Sequence, residues 1–234
     1  RPAWATDPTP PLLRFAWMSD LHLDGGERTA MIRAACHTVR DLIRPDLVIV
    51  TGDNCAWDPP VRGDRARLPQ AHRRHLAFQD FIKAGIGLPA VVLPGDNWPW
   101  DFDKVFGSSR FSFHAAGLHL VFLSPDRRAP SMEGCSRFDP PTWEWLEKDL
   151  EANRERPTLV FTHENLIPPT FLDAPRLLQV LHRHPQVLAT FTGHLHLDLE
   201  FRRQGLVHFI CPAFAAGGRP GFKTVALYPD RLVV

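Results

Sequence analysis

Apolar runs of strand length alternate with amphipathic segments in the first part of the chain. Three such runs lie at 12–18, 47–51 and 90–93, and each is too short to be a buried helix. The order strand, helix, strand, helix, strand is typical of parallel strands joined by right-handed helical crossovers. The pattern therefore predicts that a parallel sheet begins the fold.

Two helices are predicted between these strands, each from apolar residues that recur at helical spacing. The first ends before Pro45, and its predicted buried face consists of Met31, Ala35, Thr38 and Leu42. The segment 54–69 is rich in proline and arginine and is predicted to be a loop. The second helix covers 70–84, and its predicted buried face consists of Ala77, Phe81 and Ala84.

The second half of the chain adds hairpins to this pattern. The first hairpin turns at Gly117 and two more lie near the end of the chain. The paired segments are 111–114 with 118–123, those within 199–210 and those within 224–233. Hairpins need a second layer to bury against, so we expect two sheets, each with helices on its outer face.

Two more helices and two more strands complete the predicted elements. One helix begins after Asp139 at Pro140 and turns inward the side chains of Trp143, Leu146 and Leu150. The other ends before Pro185 and contains Leu177, Leu178 and Leu181. The strands are predicted at 158–162 and 186–192.

The composition narrows the class of protein. With 234 residues, 44% of them hydrophobic, the chain is expected to form one domain over 1–234, with an irregular lead-in over 1–11. The 27 basic and 26 acidic residues nearly cancel, which disfavours nucleic acid as a partner. No apolar run approaches the length of a membrane span, so a soluble, cytoplasmic protein is expected, although a start at Arg1 also fits a removed export signal.

Polar clusters follow five of the predicted strands. Taken singly, a Gly-Asp pair or a lone histidine has ordinary explanations, such as turn geometry or a buried imidazole bonded to a carbonyl. The carboxyl ends of strands in layered α/β sheets gather at one rim, so the five clusters are expected to meet there. The clusters are Ser19-Asp20-Leu21-His22, Gly52-Asp53-Asn54, Gly95-Asp96-Asn97, Thr162-His163-Glu164 and Gly193-His194-Leu195-His196.

Such a rim predicts a metal site. Three carboxylates cannot remain ionised together in a partly dry cavity unless cations compensate their charge. Carboxylate and imidazole ligands without a thiolate suit Mn, Fe, Zn, Co or Ni. Two such ions roughly 3.5–4 Å apart lower the pKa of a water and hold both the attacking and the leaving oxygen of a phosphoryl transfer.

These clusters resemble the motifs of the calcineurin-like metallophosphoesterase superfamily, which are Asp-x-His, Gly-Asp, Gly-Asn-His followed by an acid, a lone His, and Gly-His-x-His. The order and approximate intervals match from Asp20 to His196. The resemblance implies an α/β fold, a two-sheet α/β/β/α sandwich. The segments Trp143-Glu144-Trp145-Leu146-Glu147 and Pro220-Gly221-Phe222 look most like the cyclic-nucleotide phosphodiesterase branch.

The resemblance also implies a reaction and a ligand set. Two divalent or mixed-valence metal ions, with manganese favoured, would be bridged by a hydroxide that attacks a small-molecule phosphoester, most readily a phosphodiester. Asp53 would bridge the ions and so have a catalytic role. One ion would be held by Asp20, His22 and His196, and the other by Asp96, His163 and His194. A phosphomonoesterase, a metal- or phosphoester-binding module with weak catalysis, and a nucleic-acid processing enzyme are the alternatives.

The third motif departs from the family pattern at two positions. Asp96 stands where the family has asparagine, and its added charge favours harder or more highly charged ions. Asn97 stands where the family has a histidine that contacts the substrate. The resemblance therefore makes Asn97 a catalytic and substrate-binding candidate, but an amide cannot supply a proton near pH 7. Aryl phosphoesters are expected to be cleaved more readily than alkyl ones.

Three further sets of residues near these motifs have two interpretations each. A basic stretch either holds a substrate phosphate or forms a solvated surface, and it consists of Arg62, Arg65, Arg67, His72, Arg73, Arg74 and His75. Three indoles form either a stacking wall or part of the core, namely Trp57, Trp98 and Trp100. Glu164 and Asn165 either orient a metal ligand or, for Asn165, cap a helix.

Overall fold

Strands of two sheets and five α-helices make up the parts of the chain that the computed structural model describes, namely 9–56, 68–97, 100–126, 136–214 and 220–234. The strands are β1 Leu13–Met18, β2 Leu47–Val50, β3 Ala90–Val92, β4 Arg110–Ala115, β5 Leu118–Leu123, β6 Thr158–Thr162, β7 Val187–Thr192, β8 Leu199–Arg203, β9 Leu206–Ile210, β10 Lys223–Leu227 and β11 Leu232–Val233. The α-helices are α1 Glu27–His37, α2 Leu68–Gly85, α3 Phe102–Phe106, α4 Pro140–Ala152 and α5 Ala174–His182. A π-helical segment, Thr38–Ile43, directly follows α1.

The first sheet has the strand order β11-β10-β1-β2-β3. Strands β1, β2 and β3 are parallel, with Phe15 opposite Leu47 and Val48 opposite Ala90. This confirms the parallel arrangement predicted from the alternation of strands and helices. The final hairpin, β10 and β11, extends the sheet by pairing antiparallel with β1.

The second sheet has the strand order β4-β5-β6-β7-β9-β8. Its four central strands, β5, β6, β7 and β9, are parallel. The two predicted hairpins, β4 with β5 and β8 with β9, place an antiparallel strand at each edge. The second sheet therefore has a parallel centre with one antiparallel hairpin strand at each edge.

Three hydrophobic clusters hold four layers together. Between the sheets, Phe15 and Trp17 of β1 pack against Phe161 and Phe191 of the second sheet. Helices α1 and α2 cover the outer face of the first sheet, and α4 and α5 cover that of the second. Burying each of these large side chains stabilises the fold by roughly 2–3 kcal/mol. The layers confirm the predicted α/β/β/α class, and the assignment of all 234 residues to one domain stays a prediction.

The buried faces predicted for the first two helices are wrong by about one residue. In α1 and its π-helical continuation, the fully buried side chains are Ile32, Cys36, Val39 and Ile43, whereas Leu42 is 77% exposed. In α2, Phe81 is buried as predicted, but Ala77 and Ala84 are exposed, and the other buried side chains include Ala71, His75, Phe78 and Ile82. Adjacent faces of both helices carry apolar residues at helical spacing, and the face with the larger side chains is the one that packs.

Some predictions fall on residues that the structure does not describe. These residues are 1–8, 57–67, 98–99, 127–135 and 215–219. They include Trp57, Trp98, Arg62, Arg65 and Arg67, so their predicted roles lie outside the described residues. The short helix α3 was not predicted, and the described helices include none that is long and apolar enough to cross a membrane.

Candidate metal centre

The five polar clusters lie in the loops that follow β1, β2, β3, β6 and β7, at the carboxyl-end rim of both sheets. Hydrogen bonds join these loops across the interface of the sheets. The backbone N–H of His194 donates to Oδ2 of Asp20 at 2.9 Å, and Nδ1 of His163 donates to the carbonyl oxygen of Thr51 at 2.9 Å. Within the first sheet, the backbone N–H of Asp20 donates to Gly52 at 2.9 Å. The convergence expected from the strand ends is therefore present.

Glycine is required where these loops touch. The φ angle of Gly95 is +77°, and a Cβ there would overlap the backbone nitrogen of Asp53. A Cβ on Gly193 would overlap the side-chain oxygen of Ser19. These two glycines allow loops from different strands to approach closely enough for the polar side chains to meet.

The first group of potential ligands consists of Asp20, His22 and His196. Oδ1 of Asp20 lies 3.2 Å from Nε2 of His196 and 3.9 Å from Nε2 of His22. The two Nε2 atoms lie 3.4 Å apart. Three potential ligand atoms from three side chains therefore surround one point, although the side chain of His196 is 40% exposed.

The second group consists of Asp96, His163 and His194. Oδ1 of Asp96 lies 3.4 Å from Nε2 of His163 and 3.7 Å from Nδ1 of His194. Asp53 lies between the two groups, since its Oδ1 is 3.3 Å from Nε2 of His163 and its Oδ2 is 3.7 Å from Nε2 of His22. The structure thus brings together all seven residues that the sequence predicted as ligands.

The arrangement of donors around His163 fits a cation. Because a carbonyl can only accept, the bond to Thr51 places a proton on Nδ1 of His163 and turns Nε2 towards the carboxylates. The oxygens nearest to Nε2 belong to Asp53, Asp96 and Asp20 at 3.3, 3.4 and 3.9 Å, too far for good hydrogen bonds. Nε2 of His163 and Oδ1 of Asp20 are buried without a hydrogen bond among the described residues. Lone pairs converge there as metal ligands do.

The pKa values of the clustered residues show the effect of burying acids and imidazoles together without a metal ion. Burial and the neighbouring carboxylates of Asp96 and Asp20 raise the pKa of Asp53 well above its ordinary value. Burial alone would lower the pKa of His163, but the charges of Asp53 and Asp20 and the interaction with Asp96 raise it to about 10. Burial lowers the pKa of His22 to about 4. Burying these carboxylates together without another cation is therefore unfavourable, and metal ions would relieve it.

Backbone strain is concentrated in the same residues. Five of the seven have positive φ angles, namely Asp20 at 53°, His22 at 46°, Asp53 at 52°, His194 at 65° and His196 at 57°. Left-handed conformations cost a residue with a Cβ on the order of 1 kcal/mol or more each. Strain of this kind persists where the surrounding structure holds side chains in positions that a function needs.

Asn97 lies beside Asp53 and His22, two of the potential ligands. It is 4% exposed, and its backbone N–H donates to Oδ1 of Asp53 at 2.9 Å, as does that of Asp96. Its carboxamide lies against His22, with Nδ2 3.0 Å from Nδ1 of the imidazole. The predicted contact of Asn97 with substrate stays a prediction.

Four other residues singled out in the sequence have structural partners, namely Glu164, Asn165, Arg74 and Trp100. The carboxylate of Glu164 accepts a hydrogen bond from Ser136 at 2.8 Å, and the carboxamide of Asn165 donates to Thr192 at 2.5 Å. Arg74 donates to the carbonyl oxygen of Ala56, and Trp100 packs against the core of the first sheet. These contacts are typical of residues that shape the loops around the rim.

Two contacts of the site were not found from the sequence. Thr51 fixes the ring of His163 through its carbonyl oxygen, which every residue type possesses, so no sequence signal marks it. Arg28, in the first turn of α1, donates to the carbonyl oxygen of His22 at 3.2 Å. An arginine six residues beyond a predicted ligand is a weak signal, since most such side chains are solvated.

The fold and this site define the class of protein. The sequence pattern of the calcineurin-like phosphoesterase family matches residues 13–198, and the chain belongs to that family. The matched region contains the seven clustered residues and the strands that position them, from β1 to the loop after β7.

Several relatives resemble the chain over nearly its whole length. A probable cyclic nucleotide phosphodiesterase of Synechococcus is 27% identical, with 93% of this chain and 89% of the relative covered. The 3′,5′-cyclic adenosine monophosphate phosphodiesterase CpdA of Escherichia coli K12 is 24% identical, with 93% and 86% covered. The crystal structure of a dimetal phosphatase from Danio rerio superposes with a TM-score of 0.75 at 16% identity, covering 95% of each chain.

A further structural neighbour shares the fold and is described by a structural role. GAP50, described as the anchor in the inner membrane complex of Plasmodium, superposes with a TM-score of 0.55 at 13% identity, covering 90% of this chain and 75% of that one. The argument for function therefore depends on the side chains at the rim.

Proposed function

We propose that this protein hydrolyses phosphodiesters at a centre of two metal ions. The observation that carries the proposal is the position of Asp53 between two groups of potential ligands, within 3.7 Å of Nε2 of His22 and 3.3 Å of Nε2 of His163. Asp20, His22 and His196 would hold one ion, Asp96, His163 and His194 the other, and Asp53 both. Manganese is the metal that we favour.

Metal ions held by these residues would lower the pKa of a water, which supplies a nucleophile, and would stabilise charge on the phosphoryl oxygens. The side chains of the protein hold this centre in place. The carbonyl oxygen of Thr51 fixes the ring of His163, and the backbone N–H groups of Asp96 and Asn97 both donate to Oδ1 of Asp53. The carboxylate of Asp53 is therefore oriented before substrate binds.

The expected substrate is a small phosphodiester, and the names of the relatives from Synechococcus and Escherichia coli support a cyclic nucleotide. Asn97 replaces the histidine of the family motif, so the departing oxygen receives no proton from this position. We expect rates that depend steeply on the leaving group, with aryl phosphodiesters cleaved faster than alkyl ones. The cytoplasmic location and the expectation that no membrane is bound stay predictions.

The experiment is metal analysis of the purified protein together with turnover of aryl, alkyl and cyclic diesters and of matched monoesters under Mn, Co, Ni and Zn. Two bound ions and diester turnover are expected. Preference for monoesters would favour the alternative of a phosphomonoesterase. Two bound ions without turnover of any substrate would favour the binding module, for which the replacement at Asn97 is the supporting observation. A protein that binds no metal and is inactive under every condition would overturn the proposal.

A further inference from the structure

The carboxamide of Asn97 contacts a potential metal ligand at the side that faces away from the metal position. Nε2 of His22 points towards Asp20, Asp53 and His196, at 3.9, 3.7 and 3.4 Å. Nδ1 of the same ring points away from them and meets Nδ2 of Asn97 at 3.0 Å. Asn97 is 4% exposed, so water has little room to take its place.

We propose that Asn97 is a positioning residue that holds the imidazole of His22 with Nε2 directed at the first metal ion. The inference rests on the proposed function and adds a role that the family motif does not give to this position. A metal-binding imidazole usually donates its remaining N–H to a second group, which fixes the plane of the ring and makes the ligating nitrogen more basic. The carboxamide of Asn97 is the group in that place.

The carboxamide of Asn97 can form a hydrogen bond with either tautomer of the His22 imidazole, because it has both a donor and an acceptor. Without metal, Nδ2 of Asn97 donates to an unprotonated Nδ1, and Nε2 of His22 carries the proton. When Nε2 binds a cation it gives up this proton to water, and Nδ1 takes one up from water, so the net protonation of the ring is unchanged. A half-turn of the amide group then presents Oδ1 as the acceptor for Nδ1–H.

The side chain and the backbone of Asn97 have separable roles. Its backbone N–H bonds to Oδ1 of Asp53, and every substitution except proline keeps that bond. Changing the side chain alone therefore tests the contact with His22. The first metal ion is expected to depend on this contact more than the second, because the carboxamide of Asn97 contacts His22, whereas the carbonyl oxygen of Thr51 orients His163.

The test is a titration of the metal-free full-length chain with Mn²⁺, following both binding steps by calorimetry and by the electron paramagnetic resonance signal of free Mn²⁺. Asn97→Ala and Asn97→Leu are expected to weaken one of the two binding steps by about 10–100-fold and to leave the other within about threefold of wild type. Asn97→Asp is expected to restore the affinity, because a carboxylate accepts the proton on Nδ1.

Asn54→Ala is the matched control. Asn54 is 2% exposed, and its carboxamide donates to the carbonyl oxygen of Leu93 instead of contacting a ligand side chain. This variant is expected to unfold at lower temperature while both binding steps stay unchanged. A merely structural role of Asn97 would make its variants behave in the same way.

The outcomes separate this inference from the proposed function. If wild type binds two ions and Asn97→Ala binds them equally tightly, the positioning role is wrong and the metal centre stands. Equal losses in Asn97→Ala and Asn97→Asp would also contradict the positioning role. If wild type itself binds no Mn²⁺, the proposed function fails first.

Discussion

The two ends of the sandwich are built from the same strands but differ in the polarity of their side chains and in backbone conformation. At the carboxyl-end rim, seven acids and imidazoles lie together, five of them in left-handed conformations. At the amino-end rim, the sheets part around a cavity of about 650 Å³ lined largely by apolar residues, including Leu118, Leu159 and Val187. The first end gives up stability for a site that can hold charge, whereas the second has buried apolar side chains that stabilise the fold, namely Leu118, Leu159 and Val187.

The largest effect is expected from Asp53→Asn. The variant keeps an oxygen for the N–H groups of Asp96 and Asn97 but loses the charge that both ions share. Hydrolysis is expected to fall on the order of 10³-fold or more. The unfolding temperature of the metal-free variant should not fall, since a neutral carboxamide replaces a carboxyl group that is buried unfavourably beside Asp96 and Asp20. Asp46→Asn, which removes an exposed partner of Arg14, is the control and should keep full activity.

Leu159→Ala, at the apolar end, is expected to lower stability and to leave metal binding unchanged, the reverse of Asp53→Asn. Leu159 is 2% exposed and belongs to the cluster between the sheets. Its truncation is expected to lower the free energy of unfolding by about 3 kcal/mol, which denaturant titration measures. Affinity for Mn²⁺ should stay at the wild-type value. A comparable loss of metal affinity would show that the two ends are not independent.

Metal is expected to reverse the deficit in stability at the carboxyl-end rim. A ligand that binds only the folded state at 100 times its dissociation constant stabilises it by about 2.7 kcal/mol. The unfolding temperature should therefore rise when Mn²⁺ is added and return to its starting value with a chelator. The same titration of Asp53→Asn should produce a much smaller rise. An equal rise in both proteins would mean that Mn²⁺ binds elsewhere.

A smaller effect is expected from His208, a buried histidine outside the rim whose pKa shifts in the opposite direction to that of His163. His208 bonds to Thr190 at 2.8 Å, and burial lowers its pKa from 6.5 to about 4, whereas carboxylates raise that of His163. The folded state binds the proton less readily than the unfolded one, so this contribution is present above pH 6.5 and is lost as the pH falls towards 4.

Denaturant titrations between pH 7 and pH 5 measure this contribution. The free energy of unfolding of wild type should fall between pH 7 and pH 5.5, and His208→Gln is expected to reduce that fall by about 1 kcal/mol. An unchanged slope in His208→Gln would contradict the lowered pKa.

The clustering of the seven candidate ligands could be predicted from the sequence because strand ends determine where they lie. Asp20, Asp53 and His163 each follow an apolar run, and parallel strands bring such positions to one rim whatever the details of packing. The positions of the helix faces needed more information. Leu42 and Ile43 are equally compatible with helical spacing, and only the packing against the first sheet shows that Ile43 is buried and Leu42 is not.

Contacts made through the backbone or by one rotamer could not be predicted. The carbonyl oxygen of Thr51 orients His163, yet any residue there would offer the same acceptor. The sequence identified Asn97 as a departure from the family motif and assigned it to the substrate. Its contact with Nδ1 of His22 depends on the loop after β3, where its backbone also bonds to Asp53.

The central claim is that two cations share Asp53 at the carboxyl-end rim. The most direct test is an anomalous difference map from crystals of the protein grown with Mn²⁺. The account predicts two peaks about 3.5–4 Å apart, one among Asp20, His22 and His196 and one among Asp96, His163 and His194, with Asp53 between them. A single peak, or peaks away from Asp53, would contradict it.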